Sequence, residues 1–244
     1  MKINFKIHPF FLLTAIIILF TGYFKNFIYI TTIIIVHEIG HISLAYFFKW
    51  KIEKIVLLPF GGITIFNEHL NRKITEEFLI LLAGPIFQIV FVNIINIFLK
   101  SSLFYEYHLI LLIFNLIPII PLDGSKLINL LTDYFFSYKK SLIINIIISW
   151  IFIMILFIYI MNKFNFLLFL SLIFLIKKNI TEYKNYKYKI NLFLLERYRY
   201  SFDFKKYSYI KGLNVYDLKR DKKGIFIDQN MEYTEKQILQ KVFQ

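Results

Sequence analysis

Two histidines and a glutamate occur together as His37-Glu38-x-x-His41, inside an apolar run from Phe27 to Phe48. On a helix, residues four apart lie on the same face, so both imidazoles can reach one metal ion. Zn²⁺ is the usual metal for two histidines and a carboxylate, and Glu38 lies beside the pair as a candidate general base. The stretch therefore predicts a helix that carries a hydrolytic metal site.

The apolar setting of this motif strengthens the prediction. Between Phe27 and Phe48 the run holds no Asp, Lys or Arg and no other Glu or His. Ionisable side chains at hydrocarbon depth are costly, and for that reason they usually mark functional sites. The alternative is that these three polar side chains are merely satisfied by hydrogen bonds inside a helix bundle.

A second stretch with chemical potential runs from Asn115 to Lys126 and contains Pro118, Pro121 and Asp123. Two prolines three residues apart should break a helix, so we expect Asp123 on irregular backbone, facing inward. The alternative is that Asp123 pairs with Lys126. Counting residues to the helix ends places Asp123 and the two histidines at a similar depth, which makes Asp123 the candidate third protein ligand. Three protein ligands leave a fourth position open, as in catalytic zinc sites.

The composition shows what kind of chain must position these residues. Of 244 residues 58% are hydrophobic, and the mean hydropathy is +0.60, which is too apolar for an ordinary soluble domain. We expect an all-α polytopic membrane protein. The chain has no cysteine, which excludes disulfides, thiolate metal sites and cysteine nucleophiles.

The charge is +13 in total, and much of it lies in the last part of the chain. From Lys177 to Gln244 there are 16 Lys and Arg against 8 Asp and Glu. A basic tail that follows a membrane domain usually faces the cytoplasm. Nucleic acid is not an expected partner, because no recognisable nucleic-acid-binding motif accompanies the charge.

Six apolar segments are candidates for membrane crossing, since about 20 apolar residues cover about 30 Å of hydrocarbon. With the N-terminus in the cytoplasm, the cationic segments then alternate as the positive-inside rule requires, and both termini are cytoplasmic. Five crossings would place the basic tail outside. The expected spans are His8–Phe24, Phe27–Phe48, Phe78–Leu99, His108–Leu131, Leu142–Met161 and Phe164–Ile176.

The segment from Ile55 to Phe66 is apolar, too short to cross, and interrupted by proline and glycine. Such backbone occurs at membrane depth only where protein or a cavity surrounds it. It is either a β-hairpin or re-entrant loop over the site, or an interfacial loop anchored by Phe60 and Phe66.

Other small and polar residues have simpler interpretations. Ala83-Gly84-Pro85 favours ordinary helix packing, and Gln88, Asn93 and Asn96 favour hydrogen bonds between helices. The remaining histidines lie at the expected span edges, where an interfacial position is the expectation; they are His8, His69 and His108.

Taken together, the motifs resemble the site-2 protease family of intramembrane zinc metalloproteases, peptidase family M50. The resemblance rests on the H-E-x-x-H span, an A-G-P helix and then N-x-x-P-x-x-P-L-D-G. His8-Pro9 and the LLPFGG block from Leu57 to Gly62 add to it. The FLLERY block from Phe193 to Tyr198 points to the stage IV sporulation protease branch, whose members process pro-sigma-K.

The resemblance implies a role for each matching residue. Zn²⁺ is the expected cofactor, Glu38 is the expected catalytic residue that activates water, and Phe60 would act as a plug that inhibitory membrane partners keep in place. The expected metal ligands are His37, His41 and Asp123, and the expected substrate-binding residues are Asn115, Pro121 and Phe60.

The resemblance also implies a location and partners. We expect an integral protein of a bacterial cytoplasmic-type membrane, on the mother-cell side around the forespore if the sporulation interpretation holds. Its partners would be a membrane-associated pro-sigma factor, inhibitory membrane proteins and the lipid bilayer, with a homo-oligomer left open.

An anti-sigma factor and remnant signal peptides are alternative substrates. A non-enzymatic metal or proton transporter is a further alternative, although such a fold would be expected to contain an internal repeat.

The expected organisation is a metalloprotease domain at residues 1–180 and a short basic tail at residues 181–244. Family members of this branch end in a nucleotide-sensing CBS domain. The tail here is shorter than a complete CBS fold, with one β-like run at Gly224–Asp228 and one helix at Thr234–Phe243. We expect a small α/β tail that is a reduced CBS-like remnant, and we place no nucleotide site in it.

Overall fold

The computed structural model describes residues 4–58, 61–229 and 231–243. Helices form most of this part of the chain, and short strands lie in two three-stranded sheets. The helices are α1 (Pro9–Phe20), α2 (Phe24–Phe47), α3 (Ile74–Leu99), α4 (Ser102–Leu116), α5 (Asp123–Phe135), α6 (Tyr138–Asn162), α7 (Phe166–Arg199) and α8 (Glu235–Phe243). The strands are β1 (Asn4–Ile7), β2 (Ile52–Leu58), β3 (Gly61–Phe66), β4 (Tyr207–Lys211), β5 (Lys223–Asp228) and β6 (Met231–Thr234).

Three of these helices, α2, α3 and α6, are long and apolar enough to cross a membrane. Two shorter apolar helices, at Pro9–Ile18 and Ser102–Leu116, fall below that length. Helix α7 has 34 residues, apolar at its start and basic towards its end. The expectation of a mostly helical membrane protein is confirmed, whereas the count of six crossings stays a prediction.

The expected fourth span, His108–Leu131, is two helices. Helix α4 ends at Leu116 and α5 begins at Asp123, so the helix is interrupted where Pro118 and Pro121 predict it. The Ile120–Pro121 peptide bond is cis. The expectation that Asp123 lies on irregular backbone is wrong, because Asp123 is the first residue of α5. A carboxylate is favoured there because the N-terminus is the positive end of the helix dipole.

The described chain divides into two compact units. The first contains residues up to Glu68, Phe78–Ile117 and Leu122–Gly124. Its sheet has the order β1-β2-β3, with β1 parallel to β2 and β2 antiparallel to β3. The hairpin interpretation of the segment after α2 is therefore correct. Strand β1 is an addition that its four-residue sequence does not predict, since it pairs with a strand about fifty positions away.

The second unit contains residues 69–77, 118–121 and 125–243. Strand β4 runs parallel to β5, β5 runs antiparallel to β6, and α8 follows β6 directly. Phe193, Phe226 and Leu239 lie in the main hydrophobic core of this unit. The expected strand at Gly224–Asp228 lies within β5, and the expected helix at Thr234–Phe243 corresponds to α8. The boundary between the metalloprotease domain and the tail, expected at residue 180, stays a prediction.

Arg197 is a structural centre of the second unit, and it belongs to the FLLERY block. Its guanidinium is fully buried and donates to both carboxylate oxygens of Glu235, at 3.0 and 3.1 Å. It also donates to the side-chain oxygen of Asn71 at 2.8 Å and to the carbonyl of Lys222 at 2.8 Å. A planar fork with several donors suits such a buried cluster of acceptors. The block thus connects the end of α7 with the strands and helix that follow it.

Candidate metal centre

Helix α2 places the three motif residues on buried positions. His37, Glu38 and His41 are 2%, 4% and 4% exposed. The two imidazole rings lie edge to face, with centroids 4.8 Å apart. The helical period therefore puts both histidines on one face, as their four-residue spacing predicts.

Asp123 completes a group of three ligand atoms. Its Oδ2 lies 3.0 Å from Nε2 of His37 and 2.9 Å from Nε2 of His41. The two Nε2 atoms are 3.1 Å apart. Ligand atoms of a tetrahedral ion with bonds of about 2.0 Å lie about 3.3 Å from one another. The donor set and its spacing thus fit one small cation, and these three residues could bind a metal ion.

Helix α3 contacts the Nδ1 atoms of both histidines. Nδ1 of His37 lies 2.8 Å from Oε1 of Gln88, and Nδ1 of His41 lies 2.8 Å from the carbonyl oxygen of Ile80. A metal-binding histidine usually donates its second ring N–H to such an acceptor, which directs the other nitrogen to the metal. Helix α3 therefore orients both rings with Nε2 towards the centre of the group.

Two glycines allow the helices to approach this closely. A Cβ on Gly84 would lie 2.3 Å from Nε2 of His41 and 2.8 Å from Nε2 of His37. A Cβ on Gly40 would lie 2.5 Å from the carbonyl oxygen of Ala83. Close approach of α2 to the backbone of α3 at Ala83 thus requires glycine at position 40. Gly84 has a further role that the sequence does not indicate, because its missing side chain leaves space for the rings of His37 and His41.

Glu38 contacts strand β3. The hydroxyl of Thr64 donates to Oε2 of Glu38 at 2.7 Å. A Cβ on Gly62 would lie 2.4 Å from Cδ of Glu38, so only glycine fits opposite this carboxylate. The hairpin therefore lies against the motif, and Thr64 fixes the orientation of the carboxylate.

The three expected substrate-binding residues differ in how the structure places them. Asn115 is buried near the end of α4, and its Oδ1 would be 2.9 Å from a Cβ on Gly61, at the start of β3. Pro121 is half-buried and precedes Asp123 by two residues. Phe60 lies outside the described residues, so its role as a plug stays a prediction.

The three other histidines differ in position. Nδ1 of His8 accepts from the backbone N–H of Phe10 at 3.2 Å, at the start of α1. His69 is partly exposed and lies 3.5 Å from a carboxylate oxygen of Glu196. The interfacial interpretation of His108 is wrong, because this side chain is 3% exposed and lies beside the amide of Gln88. Its position near the expected span edge hid the burial, since α4 begins six residues earlier than that span.

Comparison with known proteins gives concordant matches. The sequence model of peptidase family M50 matches residues 25–107. Stage IV sporulation protein FB of Bacillus subtilis is 35% identical over 210 residues, which are 80% of this chain and 72% of that protein. A zinc metalloprotease of Methanocaldococcus jannaschii is 29% identical over 162 residues, 58% of this chain and 46% of that protein. The solved site-2 protease from the same archaeon is 27% identical with a TM-score of 0.61, over 75% of this chain and 91% of that chain.

Alanine substitutions at Gly84 and Gly62 should have different effects on zinc content. Gly84→Ala should remove most of the bound zinc, because the new methyl group would overlap the ligand nitrogens of both histidines. Gly62→Ala should retain about one zinc per chain, because its methyl group meets Glu38 and not a ligand. Alanine favours a helix over glycine by about 1 kcal/mol, so a loss of metal in Gly84→Ala would not reflect a weakened helix.

The measurement is zinc per chain by elemental analysis of the purified full-length protein, wild type and both variants. Wild-type zinc content in Gly84→Ala would contradict the placement of the ion between these rings.

Proposed function

The chain belongs to peptidase family M50, and on that premise we propose that it cleaves a membrane-associated sigma-factor precursor of the pro-sigma-K type. Membership rests on the 35% identity to stage IV sporulation protein FB, of which the chain covers 72%. The protein is a zinc metalloprotease of the site-2 protease type, with membrane helices. The observation that carries the site assignment is the buried group of His37, His41 and Asp123 beside Glu38.

We assign zinc binding to Nε2 of His37, Nε2 of His41 and Oδ2 of Asp123. Their mutual distances of 2.9–3.1 Å and their two nitrogens and one oxygen suit Zn²⁺. A zinc ion bound there supplies a Lewis acid that polarises the scissile carbonyl and lowers the pKa of a water molecule towards about 7. The three side chains would hold the ion inside the protein, because all of them are buried.

Glu38 is the proposed proton carrier. Its carboxylate follows His37 directly, and Thr64 holds Oε2 at 2.7 Å. We assign proton transfer to Oε1, which would take a proton from the attacking water and pass it to the nitrogen of the leaving amine. One carboxylate thus acts first as general base and then as general acid.

The substrate must be extended near the site, because a helix hides its backbone groups in its own hydrogen bonds. Strand β3 is the edge strand of its sheet next to Glu38, and strand addition at an edge supplies backbone hydrogen bonds. Asn115 lies beside Gly61 at the start of β3, where its amide could bind the substrate backbone. We assign substrate contacts also to Pro121 and Phe60, on the basis of the family resemblance.

The identity of the substrate, a sigma-factor precursor, is the more specific part of the proposal. It is supported by the similarity to a sporulation protein over 80% of this chain. An anti-sigma factor or remnant signal peptides are the alternative substrates for the same chemistry. The transporter alternative is disfavoured, because the chain belongs to a peptidase family. Inhibitory membrane proteins and a homo-oligomer are further proposals that follow from the same branch.

We also propose six crossings with both termini in the cytoplasm, on the mother-cell side if the sporulation assignment holds. The three long apolar helices, the shorter α1 and α4 and the apolar start of α7 supply the six segments. The basic residues after Lys177 then lie inside. The short basic tail at residues 181–244 would form a reduced CBS-like remnant.

Glu38→Gln tests the chemistry and the substrate together. It should reduce cleavage of a co-expressed pro-sigma-K-type precursor by about 100-fold or more, the usual contribution of a general base, while zinc stays bound. Glu53→Gln is the matched control, because Glu53 lies on β2, in the hairpin that contacts Glu38, and its side chain is 51% exposed. The measurement is the fraction of precursor cleaved over time, together with zinc per chain.

Cleavage by Glu38→Gln at the wild-type rate would remove Glu38 from this role. A wild-type protein that leaves the sigma-factor precursor intact but cleaves an anti-sigma factor would shift the substrate to the alternative class.

Reporter fusions test the six crossings. A phosphatase that is active only outside the membrane should be silent when fused after Phe243 and active when fused at Lys163, between α6 and α7. A cytoplasmic fluorescent reporter should show the reverse pattern at both positions. Phosphatase activity after Phe243 would mean an odd number of crossings and would overturn the proposed orientation.

A further inference from the structure

We propose that Gln88 is a positioning residue that, together with His108, fixes the tautomer of the His37 ring so that Nε2 presents its lone pair to the metal. This inference rests on the proposed zinc site. It adds two residues that do not touch the ion, and it explains why an uncharged amide lies in the middle of the apolar helix α3.

Gln88 connects three helices through its side chain. It is 0% exposed on α3, and its Oε1 lies 2.8 Å from Nδ1 of His37 on α2. Its Nε2 lies 3.0 Å from Nδ1 of His108 on α4 and 3.1 Å from the carbonyl oxygen of the same residue. A buried amide is costly unless it is hydrogen-bonded, and these contacts employ both ends of the amide.

The direction of the amide follows from its neighbours. The carbonyl oxygen of His108 can only accept a hydrogen bond, so the NH₂ group of Gln88 must face His108. The amide oxygen, which only accepts, must then face His37. A reversed amide would place two oxygens against each other at the His108 carbonyl. The tautomer of His37 is therefore determined by hydrogen-bond chemistry and not by the position of the ring alone.

The consequence for His37 is a specific proton location. Because Oε1 of Gln88 can only accept, Nδ1 of His37 carries a hydrogen, which leaves Nε2 as the ring nitrogen that can bind the ion. By the same logic Nδ1 of His108 accepts from the Gln88 amide. A histidine in the other tautomer would present N–H to the cation and could not bind it.

His41 provides an internal comparison. Its Nδ1 faces the carbonyl oxygen of Ile80, a backbone acceptor that side-chain substitution leaves in place. The Nδ1 contact of His37, in contrast, is to a side-chain acceptor that can be removed. Substitution at Gln88 should therefore affect one ligand and leave the other correctly oriented.

Zinc affinity is the first readout, measured on the full-length protein in detergent by competition with a chromophoric chelator. Gln88→Met keeps the length of the side chain but removes the acceptor, and it should weaken zinc binding about 10- to 100-fold. His108→Leu leaves the backbone carbonyl in place and should weaken binding less than Gln88→Met. Asn93→Leu is the matched control, because this exposed amide on α3 donates to the carbonyl of Ile89, and it should bind zinc like the wild type.

The second readout is nitrogen-15 NMR of the imidazoles in metal-free protein, which reports which ring nitrogen carries hydrogen. The chain has five histidines, so the His37 signals can be assigned by comparison with His37→Ala. In the wild type Nδ1 of His37 should carry a hydrogen. In Gln88→Met part of the population should lose the hydrogen from Nδ1, because Oδ2 of Asp123 lies 3.0 Å from Nε2 and favours the hydrogen there. A purely structural role for Gln88 would lower stability without changing this spectrum.

Wild-type zinc affinity in Gln88→Met, or an unchanged His37 spectrum, would overturn the inference. So would a wild-type His37 without a hydrogen on Nδ1, a result that needs no variant to fold. Failure of the wild type to bind zinc would instead contradict the proposed metal site, while the metal-free spectrum would still decide the role of Gln88.

Discussion

The cost of placing a carboxylate and two imidazoles inside an apolar protein is the constraint on which the rest of the structure depends. Asp123, His37 and His41 are each less than 10% exposed, and their nearest ligand atoms lie within 3.1 Å of one another. A buried carboxylate is stable only when cations or hydrogen-bond donors surround it. A zinc ion bound to all three side chains would remove this cost, and the start of a helix at Asp123 contributes a further favourable field.

Much of the surrounding fold follows from this requirement. Small residues remove bulk where helices and the hairpin approach the group, at Gly40, Gly62 and Gly84. Gly124 does the same after Asp123, since a Cβ there would lie 2.1 Å from the carbonyl oxygen of Leu116. Gln88 and the carbonyl of Ile80, both on α3, contact the two histidine rings. Thr64 on β3 contacts Glu38, and His108 on α4 contacts Gln88. Geometry at the site is thus set by close backbone approach and by a few buried hydrogen bonds.

Local sequence patterns predict the parts of the fold that depend on local physics. The four-residue spacing of His37 and His41 predicts their common face, and Pro118 and Pro121 predict the break before Asp123. The pairing of β1 with β2, the burial of His108 and the space left by Gly84 all arise from contacts between distant segments. No single stretch of sequence encodes such contacts. For the contacts of Gln88, the local signal is an amide in an apolar helix. It indicates a hydrogen-bond partner but does not identify that partner.

The most direct test of this account is X-ray absorption at the zinc edge of the purified full-length protein, in wild type and in Asp123→Asn. The account predicts about one zinc per wild-type chain, with two imidazole nitrogens at about 2.0–2.1 Å and the remaining ligands oxygen. In Asp123→Asn the zinc should be lost or bound far more weakly, because the only carboxylate of the group is gone. Zinc held with an unchanged spectrum in Asp123→Asn, or a wild-type spectrum without imidazole ligands, would contradict the central claim.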